Sequence, residues 1–275
     1  MLLRRVMQHV RDQNWLAVGI DFVIVVTGVF IGIQVANWNA ERQLAAQERA
    51  YLVQLRDEIL GNHRVVDLRM RYNDEVVAAG ERALAYLDGD GDCGSGSDCA
   101  ALLVDFFHSS QIWGSSYLLA KYRELERLGF PSTEAVREPV REYYLFLTDW
   151  NFVNEFTPAY RETVRGHIRP EAFRMLWAGC HSIIDSQREE LPRDCEADLA
   201  RLDTASMLRA IQADPALRQQ LQFWLGQNIL AQQAFPGVRS RGEAALRAVS
   251  AEIGVGIPED DTWPASLETA QDGRR

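Results

Sequence analysis

Cys93, Cys99, Cys180 and Cys195 are the side chains best suited to covalent chemistry in this 275-residue chain. Cys93 and Cys99 share a Gly/Ser-rich loop able to bend them together. Cys180 and Cys195 flank a short charged segment ending in Leu191-Pro192-Arg193-Asp194. An even cysteine count outside the cytoplasm favours two local bridges, 93–99 and 180–195. Each closes a loop of fewer than about 20 residues and contributes roughly 2–3 kcal/mol in the chain-entropy model. The alternatives are four free thiols, or a zinc site, for which both spacings are too wide.

Asp90, Asp92 and Asp98 in the first cysteine loop invite a calcium reading, but no later glutamate is placed to complete an EF-hand, and a solvated turn explains them. Asp105 and His108, three apart, share a helical face. A di-iron carboxylate site needs more such pairs on other helices, so His108 reads as a satisfied histidine at a core edge. His63, His167 and His181 are isolated, with no His-Glu-x-x-His arrangement. The sequence has no Gly-x-Ser-x-Gly elbow, P-loop or dinucleotide fingerprint. No catalytic, metal or cofactor site is expected. A carboxylate site assembled from Glu124, Glu142 and Asp149 near Tyr143-Tyr144 is the enzymatic alternative.

The chain carries a net charge of −10, with 47% hydrophobic and 25% charged residues, as folded proteins do. Arg4, Arg5 and Arg11 against Asp12 and Asp21 leave residues 1–39 at +1, so the body carries −11. An acidic body repels phosphate backbones, which argues against nucleic-acid partners.

The element that organises this body is the stretch from Trp15 to Trp38. It has no charge between Phe22 and Ile33 and is predominantly apolar from Ala17 to Ala36. As a helix it spans about 35 Å between the two indoles, more than the roughly 30 Å hydrocarbon layer of a membrane. The apolar run is too long for a signal peptide, and Trp38-Asn39-Ala40 offers no small-x-small cleavage site. An uncleaved membrane anchor over 15–38 is expected. Before it, in residues 1–14, Leu2, Leu3, Val6, Met7 and Val10 share one helical face, consistent with a helix in the lipid headgroups or with a basic tail. Arg4, Arg5 and Arg11 before the span are matched by Arg42, Arg49 and Arg56 after it, so basic residues do not set the orientation. The short leading segment and the cysteines favour a cytoplasmic N-terminus and a periplasmic C-terminal body.

Asp21, Val25, Gly28, Gly32, Val35 and Asn39 are spaced 4, 3, 4, 3 and 4 apart. On a helix they stay within about 40° of one line. Gly28 and Gly32 form a GxxxG motif on that line, where another helix can approach closely and Asp21 can hydrogen-bond to it. The stripe is therefore a candidate helix–helix interface. The alternative is a lone Asp21 reaching for the interface.

The span Asp21-Phe-Val-Ile-Val-Val-Thr-Gly28-Val-Phe-Ile-Gly-Ile-Gln34-Val-Ala-Asn37-Trp38-Asn39 resembles that of an uncharacterised bacterial family, a domain of unknown function with one N-terminal transmembrane helix. The family span reads Gly-Glu, an apolar stretch with Gly, then Ala-Leu-Gln-x-Asn-Asn-Trp-Asn-Glu. Gly28, Gln34, Asn37, Trp38 and Asn39 match it position by position. Asp21 stands for the usual Glu, Gly32 for Ala, Ala36 for Asn and Ala40 for Glu. A looser echo runs from Tyr117 through Gly129 to Tyr143-Tyr144. The resemblance covers about 20 residues closely; it implies a single-span membrane protein with a helical outer domain, and no chemistry.

Beyond Trp38 the apolar positions Leu52, Leu55, Ile59, Val66, Val76, Leu84 and Leu87 keep helical spacing. One helix to about Leu87, or two joined near Gly61, is expected. Its other faces carry Arg56, Asp57, Glu58, Arg69, Arg71, Glu81 and Arg82, read as a solvated or partner-facing surface. Residues 88–100 read as a loop. Further helices are expected at 102–107, 117–128, 133 to about 154, 158–168, 171–178, 204–212, 215–233 and 240–253, with Asp214-Pro215 as an N-terminal signal. No strand is expected. Phe106, Phe107, Trp113, Phe146, Trp150, Phe152, Trp177, Phe223 and Trp224 are expected core fillers. Residues 254–275 form a loose acidic tail.

The expected fold class is all-α: a single N-terminal transmembrane helix continuing into an extracytoplasmic helical bundle at 39–253. The expected role is that of a non-catalytic, single-pass protein of the bacterial inner membrane, acting through self-association or a membrane or periplasmic partner. The second expectation is an extracytoplasmic small-molecule sensor. The 14 residues before Trp15 are too few for an output domain, so a partner chain would carry its signal.

Overall fold

The computed structural model describes residues 15–89, 92–94, 96–112, 116–149, 157–185, 188–195 and 199–257. Residues 1–14, Asp90, Trp113, Trp150, Phe152 and the tail from 258 lie outside them, as do the side chains of residues 15–18 and Asp21. The described chain is all-α apart from one small hairpin. Eight helices follow in order: α1 (Trp15–Asp88), α2 (Gly96–Ser109), α3 (Ala120–Leu128), α4 (Glu134–Asp149), α5 (Ala159–Gly166), α6 (Pro170–Gly179), α7 (Thr204–Ala213) and α8 (Leu217–Ile253).

The chain divides into two compact units within α1, Met1–Tyr51 and Leu52–Arg275. In the first unit, α1 is apolar and long enough to cross a membrane, and its apolar stretch is unburied. Phe22, Phe30 and Trp38 are all exposed, and the Arg42 guanidinium lies 4.8 Å from the centre of the Trp38 ring.

In the second unit, α8 runs antiparallel to the outer part of α1. The paired residues descend on one helix as they ascend on the other: Asp88 with Arg218, Gly80 with Leu225, Asp74 with Gln232, Asp67 with Arg239, His63 with Gly242, and Arg56 with the carbonyl of Gly256. Two glycines permit this approach. A Cβ on Gly80 would overlap Leu225, and one on Gly242 would stand 3.0 Å from both His63 Nδ1 and Tyr143 Cε2. Gly61 does not break α1. Likewise α8 is one helix where the sequence reads as two, because Pro236 sits on its exposed side. Proline removes one helical hydrogen bond, while Ala234, Phe235 and Val238 around it remain buried.

One core brings Val77, Ala83 and Tyr86 of α1 together with Leu103, Phe106 and Phe107 of α2, Tyr160 and Val164 of α5, Leu176 of α6, Leu208 of α7 and Leu221 and Trp224 of α8. Helix α4 packs along α8 and buries Val136, Val140, Tyr143, Tyr144 and Leu147. The chain reaches α4 from α3 through Gly129, at φ 74°, and a cis Phe130–Pro131 bond. Two expected core aromatics are displaced: Trp177 and Phe223 are 41% and 67% exposed.

The segment between Cys180 and Cys195 differs from the all-helical expectation. It contains an antiparallel hairpin, β1 (Ser182–Asp185) with β2 (Arg188–Glu190), pairing Ser182 with Glu190 and Ile183 with Glu189. A strand this short carries too little alternation to be read from periodicity alone. At the other end, Gly254, at φ 65°, caps α8, and Val255 N–H donates to the Ser250 carbonyl.

Candidate functional site

The sequence-derived stripe lies on the first part of α1. Val25, Gly28, Gly32, Val35 and Asn39 are all exposed, and a Cβ built on Gly28 or Gly32 meets nothing within 4 Å. Asp21 belongs to the helix, but its side chain lies outside the described residues. Gln34, Asn37 and Trp38 are exposed on the same stretch.

Both cysteine pairs are bridged. Cys93 and Cys99 have Cα atoms 5.0 Å apart, and Cys180 and Cys195 4.8 Å apart. Asp92 Oδ1 accepts the N–H of Gly94, whose φ of 75° suits the turn. Helix α2 then clasps the second bridge with the pair that the sequence singled out. His108 Nε2 donates to the Cys180 carbonyl at 2.7 Å. One turn earlier, Asp105 accepts from Arg82 at 2.7 Å and from Arg193 at 3.2 Å. Asp105 is almost fully buried, so the two guanidinium groups supply what water cannot. Desolvation holds the His108 imidazole below its ordinary pKa, against the opposing pull of the Cys180 hydrogen bond and Asp105. The imidazole therefore acts as a neutral donor here.

A second polar constellation was not legible in the sequence. Glu58 and Asn62, one turn apart on α1, are buried, contrary to the solvated face expected for Glu58. Glu58 accepts the N–H groups of Lys121 at 2.7 Å and Tyr122 at 3.1 Å, capping the start of α3 from another helix. It also accepts the Tyr144 hydroxyl at 2.8 Å. Asn62 acts as a substitute backbone for Leu118, giving and receiving a hydrogen bond of 2.7 Å. Tyr144 stacks on Tyr122 with ring centres 4.1 Å apart. Burial and Glu58 together push the Tyr144 hydroxyl far above its ordinary pKa, so it remains a donor. Arg69 is likewise buried rather than solvated, with its guanidinium 4.9 Å from the Tyr117 ring centre. These groups fasten the chain between α2 and α4 to α1.

The alternative carboxylates do not form a comparable cluster. Glu142 and Asp149 are exposed, and Glu124 pairs with Lys121. His167 pairs with Asp214 at 3.0 Å, and His181 with Glu189 at 3.2 Å. A cleft of about 460 Å³ lies between α1 and the hairpin, lined by Leu68, Arg71, Tyr72 and Glu75 on one side and residues 188–194 on the other. Comparison with known protein families, curated proteins and solved structures finds no match.

Proposed function

We propose that this chain is a single-pass protein of the bacterial inner membrane, with a periplasmic C-terminal body, working through association rather than catalysis. The observation that carries the reading is the unburied first part of α1, with Gly28 and Gly32 open on the line of Val25, Val35 and Asn39. Lipid satisfies the apolar surface, and a second helix satisfies the small-residue stripe. That helix belongs to another copy of the chain or to a membrane partner. The two disulfides support an oxidising side for the body.

In-cell crosslinking of the tagged protein, with gentle solubilisation and mass spectrometry, tests the reading beside an Asp21→Leu/Gly32→Leu variant. A defined species that the variant loses is expected. The same mass for both proteins, each alone, would overturn it.

A second reading, an extracytoplasmic small-molecule sensor signalling through a partner chain, draws on the cleft between α1 and the hairpin, whose size suits a small ligand. A metabolite-library thermal-shift screen without hits counts against it.

A further inference from the structure

Helix α5 carries two arginines one turn apart, Arg161 and Arg165, both only partly exposed. They converge on one neutral residue at the end of α2. Arg161 Nη1 donates to the Ser110 carbonyl at 2.6 Å, and Arg165 Nε donates to the Ser110 hydroxyl at 2.9 Å. Arg165 Nη2 also reaches the Ser110 carbonyl, at 3.5 Å. The guanidinium of Arg165 is held 5.6 Å from the Phe107 ring centre and 5.4 Å from that of Trp177. A helix C-terminus favours cations, but one carbonyl does not neutralise two of them.

Among the described residues, no carboxylate forms an ion pair with either guanidinium. Glu189 acts on Arg161 electrostatically, yet one of its oxygens pairs with His181. Each guanidinium has five N–H donors, so most of theirs remain for another acceptor. Gln111, the residue after Ser110, is 3% exposed, and its Nε2 has no hydrogen-bond partner among the described residues. The electrostatics agree. Desolvation, then the neighbouring Arg161, lowers Arg165 to about 10, leaving it charged at neutral pH.

We propose that Arg161 and Arg165 form a phosphate-binding site. Two guanidinium groups gathered on Ser110 carry the charge and the planar N–H forks that suit a tetrahedral oxyanion. Trp177, partly exposed beside Arg165, provides an apolar wall for the group that bears the phosphate. The phosphate belongs to a free phosphate compound or to an anionic lipid headgroup. The site is separate from the helix stripe of the span.

Trp177 makes the test direct. The full chain, in bilayers of phosphatidylcholine, is titrated with inorganic phosphate at constant ionic strength. Tryptophan fluorescence and thermal unfolding are followed, with Trp177→Phe identifying the local signal. A saturable signal and a raised Tm are expected in the wild type, both lost in Arg161→Gln/Arg165→Gln. A parallel titration adds phosphatidylglycerol to the bilayer; a response there alone assigns the phosphate to lipid and supports the site. Arg165→Lys retains the charge without the planar fork and is expected to weaken the response about tenfold, which keeps the test decisive should the double variant not fold. No response in either titration overturns the proposal, as does a response of equal affinity in the wild type and a folded arginine variant.

Discussion

His108 and Cys180 are joined by a buried hydrogen bond of 2.7 Å from imidazole Nε2 to the peptide carbonyl. Because a carbonyl only accepts, the contact specifies which ring nitrogen carries the proton. It ties one end of the 180–195 loop to α2, while Asp105 ties Arg193 near the other end.

This contact sets a pH dependence. Desolvation lowers the folded pKa of His108 below 6.5, so in acid the unfolded chain takes up its proton first. The stabilisation is fully present above pH 6.5 and drains away as pH falls from there through the lowered folded value. Urea unfolding between pH 7.5 and 5 is expected to show decreasing stability. His108→Gln, which retains an N–H for Cys180, should flatten that slope by up to about 1.4 kcal/mol per pH unit. An unchanged slope would show that His108 titrates alike in both states.

Glu58 organises three donors, two backbone and one phenolic. Glu58→Gln places an amide N–H₂ where at least one of them needs an acceptor. A loss of about 2–3 kcal/mol in chemical unfolding is expected. Tyr144→Phe should lose less, about 1 kcal/mol, and the double variant less than the sum, since the two groups share a bond. Additive losses would mean that the phenol and the carboxylate act independently.

Gly80 is where α1 meets Leu225 of α8 most closely. Gly80→Ala gains helix propensity but forces the helices apart or Leu225 out of its rotamer, for a net loss of about 1–3 kcal/mol. Adding Leu225→Ala should make the alanine at position 80 less harmful than it is alone, a coupling readable from four melting curves. Gly226, also on α8, has nothing within 4 Å of a built Cβ. Gly226→Ala is therefore expected to be neutral or stabilising.

The disulfides predict a thiol count and an order of effect. Denatured, unreduced protein should show no titratable thiol, and four after reduction. Cys180→Ser/Cys195→Ser opens the longer loop and should lower stability by about 3 kcal/mol, against about 2 kcal/mol for Cys93→Ser/Cys99→Ser. The first variant should also expose the hairpin to proteolysis before the bundle unfolds.

The sequence by itself determined the local and periodic features. The apolar run through Val25 and Gly32, the alignment of the stripe, the helix beyond Trp38 and the partners of the cysteines are legible because each depends on neighbours within about 20 residues. Asp105 and His108 were also visible as a pair, since three residues put them on one helical face. What they hold was not visible, because Arg193 and Cys180 arrive from some 70 to 90 residues away. The tertiary structure alone decided which polar groups go inside. Glu58 and Arg69 have the composition of a wet helix face; Glu58 is buried because α3 and Tyr144 bring it donors, and Arg69 lies against the Tyr117 ring. It also decided that Trp177 and Phe223 stay partly outside, and that α8 continues through Pro236, where antiparallel packing against α1 outweighs one missing hydrogen bond. Periodicity states which face of a helix is apolar; only the arrival of another helix states how much of that face, and which charges beside it, lose contact with water.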